Sequence, residues 1–171
     1  MNLERLNLLP EDQVEAAFLS CCGSRAWARR MAMSRPFWGI DDILVNSDHI
    51  WWSLGREDWL EAFAAHPQIG EKVPEKPVAA GGEQARQWSV GEQKGTRGVA
   101  PEILDKLARG NLAYRKKFGY IFIVCATGKG AKQMLDILRE RFDNDPETEL
   151  RVAAEEQRKI TNLRLKKMVK R

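Results

Sequence analysis

The sequence predicts an all-α fold, a single compact multi-helix domain, with one segment that reads differently. Three observations predict it. Apolar residues recur at helical spacing along almost the whole chain. Proline, glycine and Asn-Asp clusters interrupt that pattern at intervals typical of helix ends. The length, 171 residues, is that of one domain with a real core. Hydrophobic residues make up 43% and charged residues 30%, a balance that suits a folded chain rather than a disordered one.

A first helix is expected over Glu11 to Cys21, with Val14, Ala17, Phe18 and Cys21 on one face. Ser24 is placed to cap a second, carrying Trp27, Ala28 and Met31, before Ser34-Arg35-Pro36-Phe37 interrupts it. Asp41 to Leu54 reads as a third, with Ile43, Leu44, Ile50 and Trp51 apolar. Gly55 to Asp58 turns the chain into a helix carrying Trp59, Leu60, Phe63 and Ala64. Residues 71 to 82, rich in lysine and proline, read as a loop long enough to be a binding loop or a solvated surface turn. Glu83 to Glu92 resumes a helix, which Gly95 and Gly98 end.

Pro101 opens the next helix, where its missing donor costs nothing, and Ile103, Leu104, Leu107, Leu112 and Tyr114 follow. Gly119 to Ala126 is the exception. Its β-branched run alone reads as a buried strand. Thr127-Gly128-Lys129-Gly130 lacks the glycine spacing of a phosphate loop. Ala131 to Phe142 is helical, Asn144-Asp145-Pro146 breaks it, and Glu147 to Lys170 forms a long last helix.

Composition excludes several classes. No run approaches the roughly 18 apolar residues of a membrane span. The early charges Glu4 and Arg5 do not fit a signal peptide, and the last three residues are no peroxisomal tripeptide, so a cytoplasmic address is expected. Cys21, Cys22 and Cys125 fit a reducing compartment. They do not combine with the two histidines, His49 and His66, in a metal-ligand spacing, so no metal site is expected. The net charge of +4 names no partner by itself.

Four segments carry polar groups suited to a small polar substrate. His66 stands where a helical pattern stops, and Pro67 pushes it out of the α region. A histidine fixed at that point suits a general acid or base, and equally a simple helix end. Ser89, Glu92 and Gln93 lie at i, i+3 and i+4, so a helix brings them to one face, which an ordinary solvated face also explains. Phe122, Ile123, Val124, Cys125 and Ala126 read as core, able to offer peptide groups if the chain is irregular there. Arg164, between Leu163 and Leu165, suits either an inward carboxylate clamp or a snorkelling surface arginine.

Together these segments resemble the OHCU decarboxylase family, which acts on 2-oxo-4-hydroxy-4-carboxy-5-ureidoimidazoline in urate degradation. The resemblance is carried by Ala65-His66-Pro67-Gln68-Ile69-Gly70, Ser89 with Glu92-Gln93, and Phe118-Gly119-Tyr120 followed by residues 122 to 126. Asn144-Asp145, Glu149, Ala153, Glu156, Lys159-Ile160 and Leu163-Arg164-Leu165 extend it, as do Trp27-Ala28 and Arg35-Pro36-Phe37 upstream. The match covers nearly the whole chain in order; the loop between His66 and Ser89 departs from it.

The resemblance implies an all-helical domain, often a homodimer, that yields (S)-allantoin and carbon dioxide without metal or organic cofactor. It overrides the strand reading at 119 to 126. It places the catalytic histidine on His66, with Glu92 orienting it or anchoring substrate. Substrate-binding positions fall on Pro67, on Ser89, Val90, Gly91 and Gln93, on Phe122 to Ala126, and on Arg164. The competing class is a helical binding module for nucleic acid or another anionic partner, suggested by Lys166, Lys167, Lys170 and Arg171 and by six tryptophans. Dispersed acidic residues, and tryptophans set within apolar patterns, weigh against it.

Overall fold

In the computed structural model the described residues are 1–69, 82–92 and 99–169, with residues 86 and 90–92 described by backbone alone. Among them the chain forms nine helices and no strand. These are α1 (Leu3–Leu8), α2 (Glu11–Cys22), α3 (Arg25–Met33), α4 (Ile40–Ser53), α5 (Arg56–Ala64), α6 (Gly82–Glu92), α7 (Pro101–Phe118), α8 (Ala131–Phe142) and α9 (Pro146–Met168). None is long and apolar enough to cross a membrane. The expected loop over 71–82 lies outside the described residues except for Gly82, which opens α6, and so do Gly95, Gly98 and Lys170.

Helix α9 is the member around which the others assemble. It packs against α2, α4 and α5, and buries Leu150, Ala153, Ala154, Gln157, Ile160, Thr161 and Leu165. Asp145 starts it: Oδ1 accepts the N–H groups of Glu147 (3.1 Å) and Thr148 (3.0 Å), two donors that a helix start leaves open. Small residues at 153 and 154 let α4 approach, and the Trp51 indole donates to the Ala154 carbonyl at 3.0 Å. The Gln157 amide likewise donates to Cys22 O at 3.3 Å, tying α9 to the end of α2.

The sequence reading held for the longer helices and missed α1. A six-residue helix has too few periodic positions to announce itself, and long-range contacts hold this one. Arg35 Nη1 donates to the carbonyls of Leu9 (2.7 Å), Asn7 (3.2 Å) and Leu6 (3.3 Å), closing its C-terminus. Asn7 in turn exchanges hydrogen bonds with both backbone groups of Phe37. Ser24 caps α3 as expected, accepting from Trp27 N at 3.3 Å.

The strand reading over Gly119 to Ala126 is corrected. The segment is buried from Phe122 to Ala126, but it is neither strand nor helix. Its β-branched residues serve burial, and its peptide groups are bonded by side chains in place of a ladder. Arg141 Nη1 donates to Ile123 O at 2.6 Å. Glu156 Oε2 accepts from Cys125 N at 2.7 Å, and Lys129 Nζ donates to Cys125 O at 2.7 Å. Arg141 is itself buried against Glu149 of α9, with Nη2 at 2.5 Å and Nε at 2.9 Å from Oε1. The Tyr114 hydroxyl donates to the same oxygen, and Asn144 donates to Oε2 at 2.8 Å.

Tyr114 of this network packs edge-on against Tyr120, the other tyrosine of the chain, with ring centroids 5.9 Å apart. Burial pushes the Tyr120 phenol up to about 12, and the Glu149 charge adds to it. Burial first, and then the hydrogen bond to Glu149, raise Tyr114 further. A phenol held neutral in the fold stabilises it below the unfolded pKa of about 10, and that contribution is lost as pH climbs towards the folded values. Absorbance at 295 nm is therefore expected to show no phenolate in the native protein near pH 10, and the unfolding midpoint should fall above that pH. Native phenolate appearing near pH 10 would contradict the burial of these rings.

Candidate active site

Helix α5 delivers His66. It ends because Ala65 takes the cap position, with its N–H on Ala62 O at 3.2 Å; His66 N–H follows on Phe63 O at 3.1 Å. Pro67 then denies the next turn a donor. The buried Phe63 ring anchors the helix end from inside. On the far side, Gly23 ends α2 with φ +88°, and a Cβ there would lie 2.5 Å from the Ala65 Cβ. Glycine is thus required twice at one position, for its backbone conformation and for the close approach of α5. Past Pro67 the chain is pinned by buried Asn111 of α7, whose amide donates to Ile69 O at 3.1 Å.

These contacts leave His66 half-buried at the wall of a cavity. Pro67 and Ile69 line it beside His66, and Ser89 closes it from α6. The irregular segment contributes Phe122, Ile123, Val124 and Ala126, with Thr127; α9 contributes Ile160 and Leu163. Its room is about 30 Å³. A second hollow of about 350 Å³ also touches His66 and Pro67, together with Gln68, Arg115 and Tyr120. His66 is the ionisable residue common to both.

Most of the residues expected at a site therefore converge. Cys125 is the member of the 122–126 run that does not line the cavity; its peptide is engaged by Glu156 and Lys129. Val90, Gly91 and Glu92 lie on the last turn of α6. The Glu92 side chain and the whole of Gln93 fall outside the described residues.

Arg164 is 3% exposed, which removes the surface-arginine alternative. Its Nη2 lies 3.2 Å from Ser89 Oγ, and its guanidinium stands 5.9 Å from the Trp88 ring centroid. It thus sits one contact behind the cavity wall, holding Ser89. Cys22 is not poised for nucleophilic work: burial pushes its thiol up to about 11, against weaker opposing pulls from Ser24, Thr161 and Arg164.

Sequence reasoning did not find Arg141, Asn111 or Lys129 as parts of the site's frame. It named Glu149 and Glu156 through the family resemblance alone. One signal was present: Glu149, Ala153, Glu156 and Ile160 are spaced 4, 3 and 4 apart, so two acids fall on the apolar face of α9.

The fold and site define a helical protein with a small, largely apolar cavity presenting one histidine and one serine. The chain belongs to the OHCU decarboxylase family, whose model matches residues 7–166. It is similar to the uric acid degradation bifunctional protein TTL of Arabidopsis thaliana, 43% identical over 150 residues. That match covers 86% of this chain and 45% of the longer plant protein, so the chain spans less than half of that relative. The 2-oxo-4-hydroxy-4-carboxy-5-ureidoimidazoline decarboxylase of Haloferax volcanii is 27% identical, covering 96% of this chain and 94% of its own. Among solved structures, a crystal structure of an OHCU decarboxylase in the presence of (S)-allantoin superposes with a TM-score of 0.76. It is 38% identical and covers 89% of this chain and 96% of that one.

Two outcomes are expected of the frame. Gly23→Ala combines a left-handed residue with a clash at Ala65, and should cost about 2–4 kcal/mol. Calorimetry should show the melting temperature lowered by several degrees, whereas an unchanged value would mean that α2 and α5 adjust freely. Arg164→Lys keeps the charge but loses the planar fork that reaches Ser89. It should lower stability by about 1.5–3 kcal/mol, the scale of a charge-assisted hydrogen bond, as read by denaturant unfolding. Unchanged stability would mean that the Ser89 contact contributes nothing to the fold.

Proposed function

We propose that this protein is a decarboxylase that converts 2-oxo-4-hydroxy-4-carboxy-5-ureidoimidazoline to (S)-allantoin and carbon dioxide in urate breakdown. The observation that carries the reading is the convergence of His66-Pro67, Ser89 and the irregular 122–126 segment on one cavity, in a chain of this family.

The chemistry suits such a site. The substrate's carboxylate sits on a carbon next to a ring C=N bond. When the bond to carbon dioxide breaks, its electron pair passes into that system, so the substrate supplies the sink that a pyridoxal or thiamine would otherwise provide. The protein has to hold the carboxylate in a productive orientation and deliver a proton to one face of the neighbouring carbon. His66, fixed at the helix end, is assigned that transfer, and Glu92 is assigned to orient it or to anchor the substrate. Pro67, Ser89, Val90, Gly91, Gln93 and the 122–126 segment are assigned to the ring and ureido arm. Arg164 supports them through Ser89.

A cytoplasmic homodimer belongs to the same reading. The exposed Trp38 (85%) and Val45 (68%) offer apolar area to a second copy, and three buried thiols suit a reducing compartment.

The test generates the unstable substrate in place from urate with the two preceding activities, then follows its decay and the chirality of the product. Accelerated decay with (S)-allantoin is expected. His66→Asn should slow turnover by about 10²-fold or more, the scale of a general acid–base, while the melting temperature holds. Decay at the buffer rate with racemic product would overturn the assignment, and near-normal turnover in the variant would remove His66 from it.

A further inference from the structure

The irregular segment that lines the cavity has no helix or strand to hold its shape, so something else must fix its register against the cavity. Cys125 shows how. Its N–H is bound by the Glu156 carboxylate at 2.7 Å and its carbonyl by the Lys129 ammonium at 2.7 Å, one charge on each side of the residue. Glu156 is only 14% exposed in its side chain, and its second oxygen is paired with Lys159 at 2.6 Å. The carboxylate is therefore aimed by a neighbour one turn along α9. Two residues earlier, Ile123 O is taken by Arg141. Cavity-lining Val124 lies between these two anchored peptides.

We propose that Glu156 is a positioning residue for the decarboxylase: by anchoring the Cys125 N–H it fixes the register of the 122–126 segment against the substrate. The proposal rests on the decarboxylase reading for its substrate, though not for the anchor itself. A carboxylate-to-amide bond of this kind is charge-assisted and short, so it resists the local opening to which irregular segments are prone. Glu156 lies one helical turn before the cavity-lining Ile160, so movement of α9 and movement of the segment are coupled through it. Its loss should loosen ground-state and transition-state contacts alike. The expected signature is a raised KM with kcat little changed, unlike the loss of a proton-transfer group.

The experiment compares wild type with Glu156→Ala and Glu156→Gln. The amide oxygen of glutamine can still accept the Cys125 N–H, whereas alanine cannot. Three readouts are taken: KM and kcat for in situ substrate, the dissociation constant for (S)-allantoin, and hydrogen exchange at the Cys125 amide. In Glu156→Ala, KM and the allantoin constant should each rise about tenfold, with exchange at Cys125 faster while the amides of α9 keep their protection. Glu156→Gln should recover most of all three. A wild-type KM in Glu156→Ala, or Cys125 exchange unchanged, overturns the proposal. So does a glutamine variant as defective as alanine, which would point to charge or folding instead. If alanine fails to fold, the glutamine variant and its exchange decide alone. Should wild type neither turn over the substrate nor bind allantoin, the decarboxylase reading fails, and the exchange data still judge the anchor.

Discussion

The buried pair between Arg141 and Glu149 is the interaction on which the rest of this molecule depends. It joins α8 to α9, takes in Tyr114 from α7 and Asn144 from the connecting turn, and ends on the carbonyl of Ile123. Arg141 also stacks over the Phe122 ring at 4.7 Å. Burying two charges is expensive, and an apolar substitute for such a pair is often as stable. Removing one partner is different, because it leaves the other charge stranded, at a cost of about 3–5 kcal/mol. What the pair supplies here is placement: no apolar side chain can reach a carbonyl and hold it.

That placement explains how a helical protein lines a cavity with a non-helical segment. A helix consumes its own donors and acceptors and has none to offer along its length. The 119–126 segment escapes this by leaving regular structure, and side chains of α8, α9 and the 127–130 turn take up the groups that would otherwise be stranded. The cavity wall therefore has a scaffold made of charge. Opposite it, His66 is held by packing: a buried phenylalanine, a glycine that admits its neighbour, and a proline that stops its helix.

Much of this was legible in the sequence. Helical periodicity located the longer helices, because each buries a continuous apolar face, and breakers such as Asn144-Asp145-Pro146 marked their ends. His66-Pro67 was readable because proline constrains both itself and its predecessor. Three things were not. Helix α1 depends on Arg35 and Asn7, contacts that cross some 26 to 30 positions and leave no local pattern. The 119–126 run looks like a strand because burial selects the same side chains whether or not a ladder forms. The orientation of Arg164 was undecidable, since an arginine beside leucines on a helix faces in or out according to what packs there, and its burial against Ser89 decides it.

Helix α9 carries Glu149, Glu156, Ile160, Leu163 and Arg164 on connected turns, and so meets the charge network, the segment anchor, the cavity wall and the serine in succession. It acts as a ruler. An α-helix advances about 100° per residue, so one inserted or deleted residue within Glu149 to Arg164 would swing every later contact out of line together. Substitutions along that stretch can be absorbed one at a time, but its length cannot drift. Among chains of this fold, changes of length should accumulate in the connecting loops, while the spacing between these five positions stays constant.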